Sequence, residues 1–311
     1  MSEAVVATAY GGPEVLRLVE APTPEPGPGE VRIAVRAAGV NPIDYKAYSG
    51  AFGADPAALP MRLGAEAAGV VTAVGPDLDT VAVGDEVIAF RASGAYATDL
   101  VVPLDAVVPK PAGLGWEQAG GLLLTGATAW HTVEAVGVRQ GDTVLVHGGT
   151  GGVGLIAVQL VAARGATVVA TASERNHALL RELGAVPVTY GAGLADRVRA
   201  AAPNGVTAAI DTVGTDEAVD VSLELVADRR RIATIAASGR APGLGIQLLG
   251  GGPGADPGDE LRMAARRPLA EAAADGRLRV VVARTYPLAQ AADAHREIMQ
   301  GHTTGKLVLL P

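Results

Sequence analysis

The sequence contains no cysteine. That excludes disulfides, a thiol nucleophile and any thiolate zinc site, and it fits a reducing cytoplasm. No uncharged run reaches transmembrane length. The first residues, MSEAVVATAYGGPEVL, have neither the basic start nor the long apolar core of a secretory signal. The expectation is a soluble, cytoplasmic protein without a membrane partner. Dense positive charge is missing too. The formal net charge is −8, and Arg229, Arg230 and Arg231 form the one compact basic run. A nucleic-acid partner is therefore not expected, and the three arginines, between a predicted helix and strand, read as a solvated turn. There is no repeat of solenoid length. Of the five histidines, none has a partner at metal-ligand spacing, and His295 and His302 read as part of an exposed C-terminal segment.

What is present is glycine, 41 residues of it in 311, and length enough for two domains with substantial cores. The informative glycines lie between Asp142 and Leu183. Val144 to Val146 suit a parallel strand buried on both faces. Gly149, Gly151 and Gly154 follow in G-x-G-x-x-G spacing, apolar residues from Val153 to Val161 continue as a helix closed by Gly165, and a second strand runs from Val168 to Thr171. In this context the glycines serve the tight turn, the approach of backbone to a pyrophosphate, and the packing of helix on strand. The helix N-terminus then offers unpaired N–H groups and the positive end of a dipole to the phosphates.

A site for NAD usually ends the second strand in a carboxylate that accepts from the ribose hydroxyls. Here that position is Ala172, followed by Ser173 and Arg175, a hydroxyl and a guanidinium suited to a 2′-phosphate. NADPH is favoured on that ground. Glu174 is the competing ribose acid if the strand ends later, and Ser173 could serve only as the N-cap of the next helix.

The N-terminal third alternates apolar and charged residues, as in Val31 to Arg36, and carries turn signals at Gly11-Gly12-Pro13, Gly75-Pro76-Asp77 and Gly84-Asp85. Strands are expected at 69–74, 86–90 and 95–102, in a β-barrel-like domain. Residues 116–136 read as helical. Past the second central strand, helices and strands alternate: a helix to Gly184, strand 186–190, helix 194–202, strand 206–211, helix 216–226, strand 231–235 and a short strand 245–248. This is the pattern of a doubly wound parallel sheet. A helix at 259–274, strand 278–282, helix 289–299 and strand 306–310 end the chain. The strict alternation is lost there, which allows this piece to return to the first domain.

These residues resemble the zinc-free, ζ-crystallin-like quinone oxidoreductases of the medium-chain dehydrogenase/reductase superfamily. The motifs that carry the resemblance are YGGPEVL (10–16), AGVNPIDYKAYSG (38–50), LGAEAAGVVTAVG (63–75), TGATAW (125–130), HGGTGGVGLIAVQL (147–160), IDTVG (210–214) and GKLVLL (305–310). The resemblance implies an α/β protein: a GroES-like β-barrel catalytic domain at 1–122, completed by 276–311, and a Rossmann NADP-binding domain at 123–275. It implies catalysis without metal, since zinc-dependent relatives have a cysteine at the position of Asn41 and a histidine at that of Ala65. By the same resemblance, Ser173, Arg175 and Tyr190 surround the 2′-phosphate of NADPH. Gly151, Gly152 and Val153 face the pyrophosphate, Thr128, Val213 and Ala236 line the nicotinamide, and Lys306 approaches the cofactor. On the residues alone, Tyr190 is equally well a half-buried strand-end tyrosine and Lys306 a solvated surface lysine. Residues 238–259 are a glycine- and proline-rich stretch where typical members carry a longer helical piece. That piece helps wall the substrate cleft and supports dimer contacts, so the short form leaves the acceptor and a homodimer open.

The implied reaction is hydride transfer from NADPH to a quinone or an α,β-unsaturated carbonyl, with hydrogen-bond donors stabilising the oxygen that gains charge. By the resemblance, Asn41, Asp44, Tyr45, Lys46 and Tyr48 form the polar cluster nearest the cleft. Asn41 can donate through its amide. Lys46 can stabilise an enolate or hold the cofactor ribose, Asp44 can orient a neighbour, and Tyr45 or Tyr48 can give a proton, although tyrosines in such a turn more often pack. Two other readings stand beside this one: an enoyl-thioester or alkenal reductase, which a basic patch near the cleft would favour and for which Arg62 and Arg91 alone are too few, and a non-catalytic NADPH-binding protein.

Overall fold

Apolar residues at every second position of Val31-Arg32-Ile33-Ala34-Val35 turn one side of a strand inward, and Val31, Ile33 and Val35 are buried as that alternation requires. The computed structural model describes residues 1–311. It divides into two units, residues 1–124 with 266–311, and residues 125–265.

The first unit begins with β1 (Ser2–Ala7), β2 (Leu16–Ala21), β3 (Glu30–Val40), α1 (Pro42–Tyr48), β4 (Met61–Arg62), β5 (Glu66–Val74), β6 (Glu86–Phe90), β7 (Asp99–Pro103), β8 (Val107–Pro109) and α2 (Trp116–Gly120). The chain then passes through α3 (Leu123–Ala135) into the second unit. There it forms β9 (Thr143–His147), α4 (Gly152–Ala163), β10 (Thr167–Thr171), α5 (His177–Glu182), β11 (Ala185–Val188), α6 (Leu194–Ala201), β12 (Ala208–Asp211), α7 (Asp216–Leu225), β13 (Ile232–Thr234) and β14 (Gln247–Leu248). It leaves through α8 (Asp259–Ala274) and ends as β15 (Val282–Pro287), α9 (Ala291–Met299) and β16 (Lys306–Leu310).

In the second unit all ladders are parallel and the strand order is β11-β10-β9-β12-β13-β14. Numbered along the unit this is 3-2-1-4-5-6, the dinucleotide-binding order, with a switch point between β9 and β12 where ligands bind beyond the carboxyl ends. Leu145, Val169, Ala209 and Ile232 on these strands are at most 1% exposed and form the core with Val198 and Leu194 of α6. In the first unit, β16 pairs antiparallel with β3, Leu307 opposite Val40, so the last strand of the chain lies beside the strand that leads to α1. No helix is long and apolar enough to cross a membrane.

Three local expectations fail. The strand expected at 278–282 does not form over 278–281: the backbone N–H of Leu278 donates to Ala272 O at the end of α8 (2.9 Å), and the ladder with β16 begins only at Val282 opposite Lys306. Residues 95–98 are irregular, and β7 starts at Asp99. Arg231 is not a solvated turn residue. Its guanidinium grips both carboxylate oxygens of Asp142 at 2.9 and 2.7 Å and donates to Val136 O and Gly137 O, and the pairing holds the Asp142 carboxyl well below its usual range.

Candidate functional site

The glycine loop follows β9 at once. Gly148 has φ +73°, and a Cβ there would lie 2.6 Å from Thr212 Oγ1, so both conformation and space require glycine. The Thr212 hydroxyl donates to His147 O (2.7 Å), which ties the ends of β9 and β12 together at the switch point. Gly151 is the N-cap of α4, and Gly154 sits so close under the loop that a Cβ would meet Gly148 O at 2.1 Å. Around Gly151 the nearest atom to such a Cβ is 3.6 Å away, so the backbone here is open. A twelve-residue helix therefore begins on bare backbone N–H groups beside open space, the arrangement that holds a pyrophosphate. The residues present fit a dinucleotide.

Beyond β10, Ala172 is buried and its N–H donates to Val188 O of the neighbouring strand (3.0 Å). Ser173 is the N-cap of a short 3₁₀ turn but makes no side-chain cap bond. Its hydroxyl and that of Thr150 in the glycine loop both accept from Asn176 Nδ2, at 3.4 and 3.3 Å. Glu174 and Arg175 are exposed, and Tyr190, two residues past the end of β11, is 51% exposed. Tyr190 is thus not a half-buried strand-end residue. Ser173 and Tyr190 follow adjacent strands at their carboxyl ends.

The loops after β12 and β13 are organised by Asp211, which is 1% exposed. One of its oxygens accepts from Val213 N and Gly214 N, both 2.9 Å, and the other from the Thr234 hydroxyl (2.7 Å), whose oxygen in turn accepts from Ala236 N and Ala237 N at 3.2 and 3.0 Å. Val213 and Ala236 are thereby fixed relative to each other. Thr128 is half-buried on α3.

In the first unit, Asn41 follows β3 and is the N-cap of α1. Its N–H donates to the Asp44 carboxylate (2.8 Å), while its side-chain amide donates to Gly39 O (3.2 Å) and Glu66 Oε1 (3.0 Å). Asn41 Oδ1 accepts from the Lys306 ammonium at 2.5 Å. That ammonium also donates to Val40 O and Glu66 Oε1, each 3.0 Å, and Glu66 Oε2 accepts from Leu124 N (2.8 Å). Glu66 and Lys306 have side chains 0% and 4% exposed, a buried ion pair with Asn41 wedged against it.

This geometry changes two expectations. Lys306 is not a solvated lysine: all three ammonium hydrogens are engaged within the unit. Asn41 likewise has both amide hydrogens committed, so it can donate to an acceptor only by leaving Glu66 or Gly39. Lys46 and Tyr45, both half-buried on α1, retain a side-chain ammonium and a phenol without hydrogen-bond partners. Lys46, two residues from Asp44, lies on another side of the helix.

Asp44 is 4% exposed and also accepts from the Tyr96 hydroxyl (2.7 Å); Tyr96 contacts His295 Nε2 (3.1 Å), and His295 Nδ1 contacts the Tyr48 hydroxyl (2.8 Å). Burial pushes the Asp44 carboxyl up to about 7 against the bonds from Tyr96 and Asn41, raises both tyrosines, and holds His295 down at about 4. His295 is therefore not exposed. Ala291, Ala294 and His295 make up the inward face of α9, a helical spacing that is visible in the sequence.

Sequence reasoning missed Glu66, Tyr96, Asp211 and Thr234. Glu66 carried a signal, a lone charge in the apolar run LGAEAAGVV; Tyr96 carried none. No group of three or more histidine, aspartate or glutamate side chains is placed to hold a metal ion.

Residues 27–112 match the alcohol dehydrogenase GroES-like domain, and residues 183–309 a domain described as zinc-binding dehydrogenase. The chain is 35% identical to the quinone oxidoreductase of Pseudomonas aeruginosa over 329 aligned positions, covering the whole of both. The quinone oxidoreductase of Escherichia coli, solved with NADPH, superposes with a TM-score of 0.86 at 28% identity over 99% of this chain and all of that one. A mycobacterial protein complexed with NADPH gives 0.84 at 34% identity over the whole of both chains. With glycine loop, sheet order and both domain types in agreement, this chain belongs to the quinone oxidoreductase family of the medium-chain dehydrogenase/reductase superfamily.

Proposed function

We propose that the protein is a cytoplasmic, zinc-independent NADPH oxidoreductase that reduces a small quinone or α,β-unsaturated carbonyl. The observation that carries this reading is the buried cluster of Asn41, Glu66 and Lys306. Asn41, where zinc-dependent relatives carry a cysteine, and Glu66 face the Lys306 ammonium through Oδ1 at 2.5 Å and Oε1 at 3.0 Å. An internal cation held at the Asn41 position supports a reading in which the acceptor is polarised by hydrogen-bond donors.

In this reading the first unit, residues 1–124 with 266–311, serves as the catalytic domain and the second, residues 125–265, as the cofactor domain. Gly149, Gly151, Gly152, Val153 and Gly154 would hold the pyrophosphate. Ser173, Arg175 and Tyr190 would take the 2′-phosphate, and Thr128, Val213 and Ala236 the nicotinamide. Bound NADPH supplies the hydride. Lys46 offers the ammonium that meets developing negative charge on the acceptor oxygen, and Tyr45 a phenol for the same oxygen. Asn41 holds the cluster and the start of α1 in place. Asp44, its carboxyl pushed up to about 7 by burial, is a group able to hold or release a proton at working pH.

The test is oxidation of NADPH and NADH against a quinone, an alkenal and an enoyl thioester, before and after exhaustive chelation. Reduction of the quinone or alkenal with NADPH, undiminished by chelation, supports the reading. Preference for the thioester assigns the chain to enoyl-thioester reduction. NADPH binding without turnover of any acceptor would point to a binding protein, and loss of activity restored by zinc would overturn metal independence.

A further inference from the structure

Asp44, Tyr96, His295 and Tyr48 come from α1, the loop before β7 and α9, and they form one unbroken row of buried hydrogen bonds. The donor inventory fixes its direction. A tyrosine hydroxyl has one hydrogen and a neutral imidazole has one. When Asp44 is a carboxylate, Tyr96 must donate to it at 2.7 Å, so His295 Nε2 must carry the ring hydrogen and donate to Tyr96, and Nδ1 must accept from Tyr48. Add one proton at Asp44 Oδ2 and the row can be satisfied only in reverse. Asp44 then donates to Tyr96, Tyr96 to Nε2, and Nδ1–H to the Tyr48 oxygen, whose own hydrogen turns away from the ring. Across the change the row gains one proton and His295 stays neutral. Oδ2 is the oxygen to take it because the Tyr96 oxygen, able to accept once its own hydrogen turns to Nε2, already lies 2.7 Å from it, whereas no hydrogen bond engages Oδ1.

We propose that Tyr96 and His295 are positioning residues for Asp44, coupling its protonation to the tautomer of His295 and thereby selecting the two states in which α1 presents its proton-carrying group. The kinetic part rests on the proposed function; the coupling itself does not. The charged and titratable groups facing Asp44 are Lys306 of β16, Glu66 of β5 and Tyr96, and those facing Tyr48 are Glu14, Arg296 of α9, Tyr45 and Asp44. Lys306 and Glu66 are paired with each other, which leaves Asp44 as the group of the row placed to change charge near neutrality. Burial keeps His295 from taking a second proton in that range.

The experiment is a ¹⁵N-histidine NMR titration of the full chain between pH 5.5 and 8.5, with His295 assigned from the His295→Gln spectrum. The expected result is an exchange of the protonated nitrogen from Nδ1 at low pH to Nε2 at high pH, with no imidazolium, and its disappearance in Asp44→Asn. A His295 that keeps one tautomer throughout, or that becomes an imidazolium, overturns the proposal whether or not any acceptor is reduced. Where turnover is measurable, Tyr96→Phe removes a hydrogen bond that is stronger to the carboxylate than to the acid, so the pH midpoint of kcat moves up by about one unit. A kcat that falls at every pH with an unmoved midpoint means that Tyr96 is structural only.

Discussion

Replacing Lys306 by methionine keeps the length of the side chain and removes the ammonium. Its three hydrogen bonds, to Val40 O, Asn41 Oδ1 and Glu66 Oε1, disappear together. Glu66, whose side chain is 0% exposed, then keeps only the N–H of Leu124 and the amide of Asn41, and no opposing charge. Breaking a buried pair from one side costs about 3–5 kcal/mol. In a domain of this size that is a fall of roughly 10 °C in Tm. The assay is thermal unfolding beside equilibrium NADPH titration at a temperature where the variant is folded. Tm should drop by that amount, and NADPH affinity should change little, because no ammonium hydrogen is free to reach a ligand. Adding Glu66→Gln removes the stranded charge while leaving an acceptor for Leu124 N–H, and should restore half or more of the lost stability. An unchanged Tm would falsify the buried-pair argument; an unchanged Tm with lost NADPH binding would return Lys306 to the cofactor site.

Arg175→Ala should weaken NADPH at least several-fold and leave NADH nearly unaffected, since only the former carries a 2′-phosphate; equal losses in a fluorescence titration would remove Arg175 from the phosphate site. Gly154→Ala places a methyl group 2.1 Å from Gly148 O, a backbone atom that cannot move without opening the loop, so dinucleotide binding should be lost and Tm lowered; a variant that binds like the parent would mean the loop is slack. The Asp44 carboxyl lies at about 7 when folded and near 4 when unfolded, so between those values the folded chain holds a proton that the unfolded chain has released. Its contribution to stability therefore falls as pH rises from about 4 to 7, by roughly 4 kcal/mol in all. His295, held down at about 4, slopes the other way over part of that range. The difference in stability between the parent and Asp44→Asn isolates the carboxyl: Asp44→Asn should gain relative to the parent up to pH 7 and no further, and a flat difference would refute the assignment.

The second unit was legible because each of its determinants is local. A buried parallel strand reads as Val144-Leu145-Val146, a phosphate loop as glycines at fixed offsets, and the helices as apolar spacing, and none of these needs knowledge of distant residues. The first unit was legible as strands but not as a site. Asn41, Glu66 and Lys306 are separated by 25 and 240 positions and meet only because β16 lies against β3. Sequence spacing could therefore name Asn41 and Lys306 through family resemblance, yet could not show that they satisfy each other. The same limit misread His295. Its polarity argued for solvent, while its place four residues after Ala291 put it on the packed face of α9 beneath Tyr48. A polar residue on an apolar stripe is tolerated only where partners await it, and the partners, Tyr48 and Tyr96, lie 247 and 199 positions away. The stripe thus carried the information that a buried polar network exists, and only the fold could say with whom.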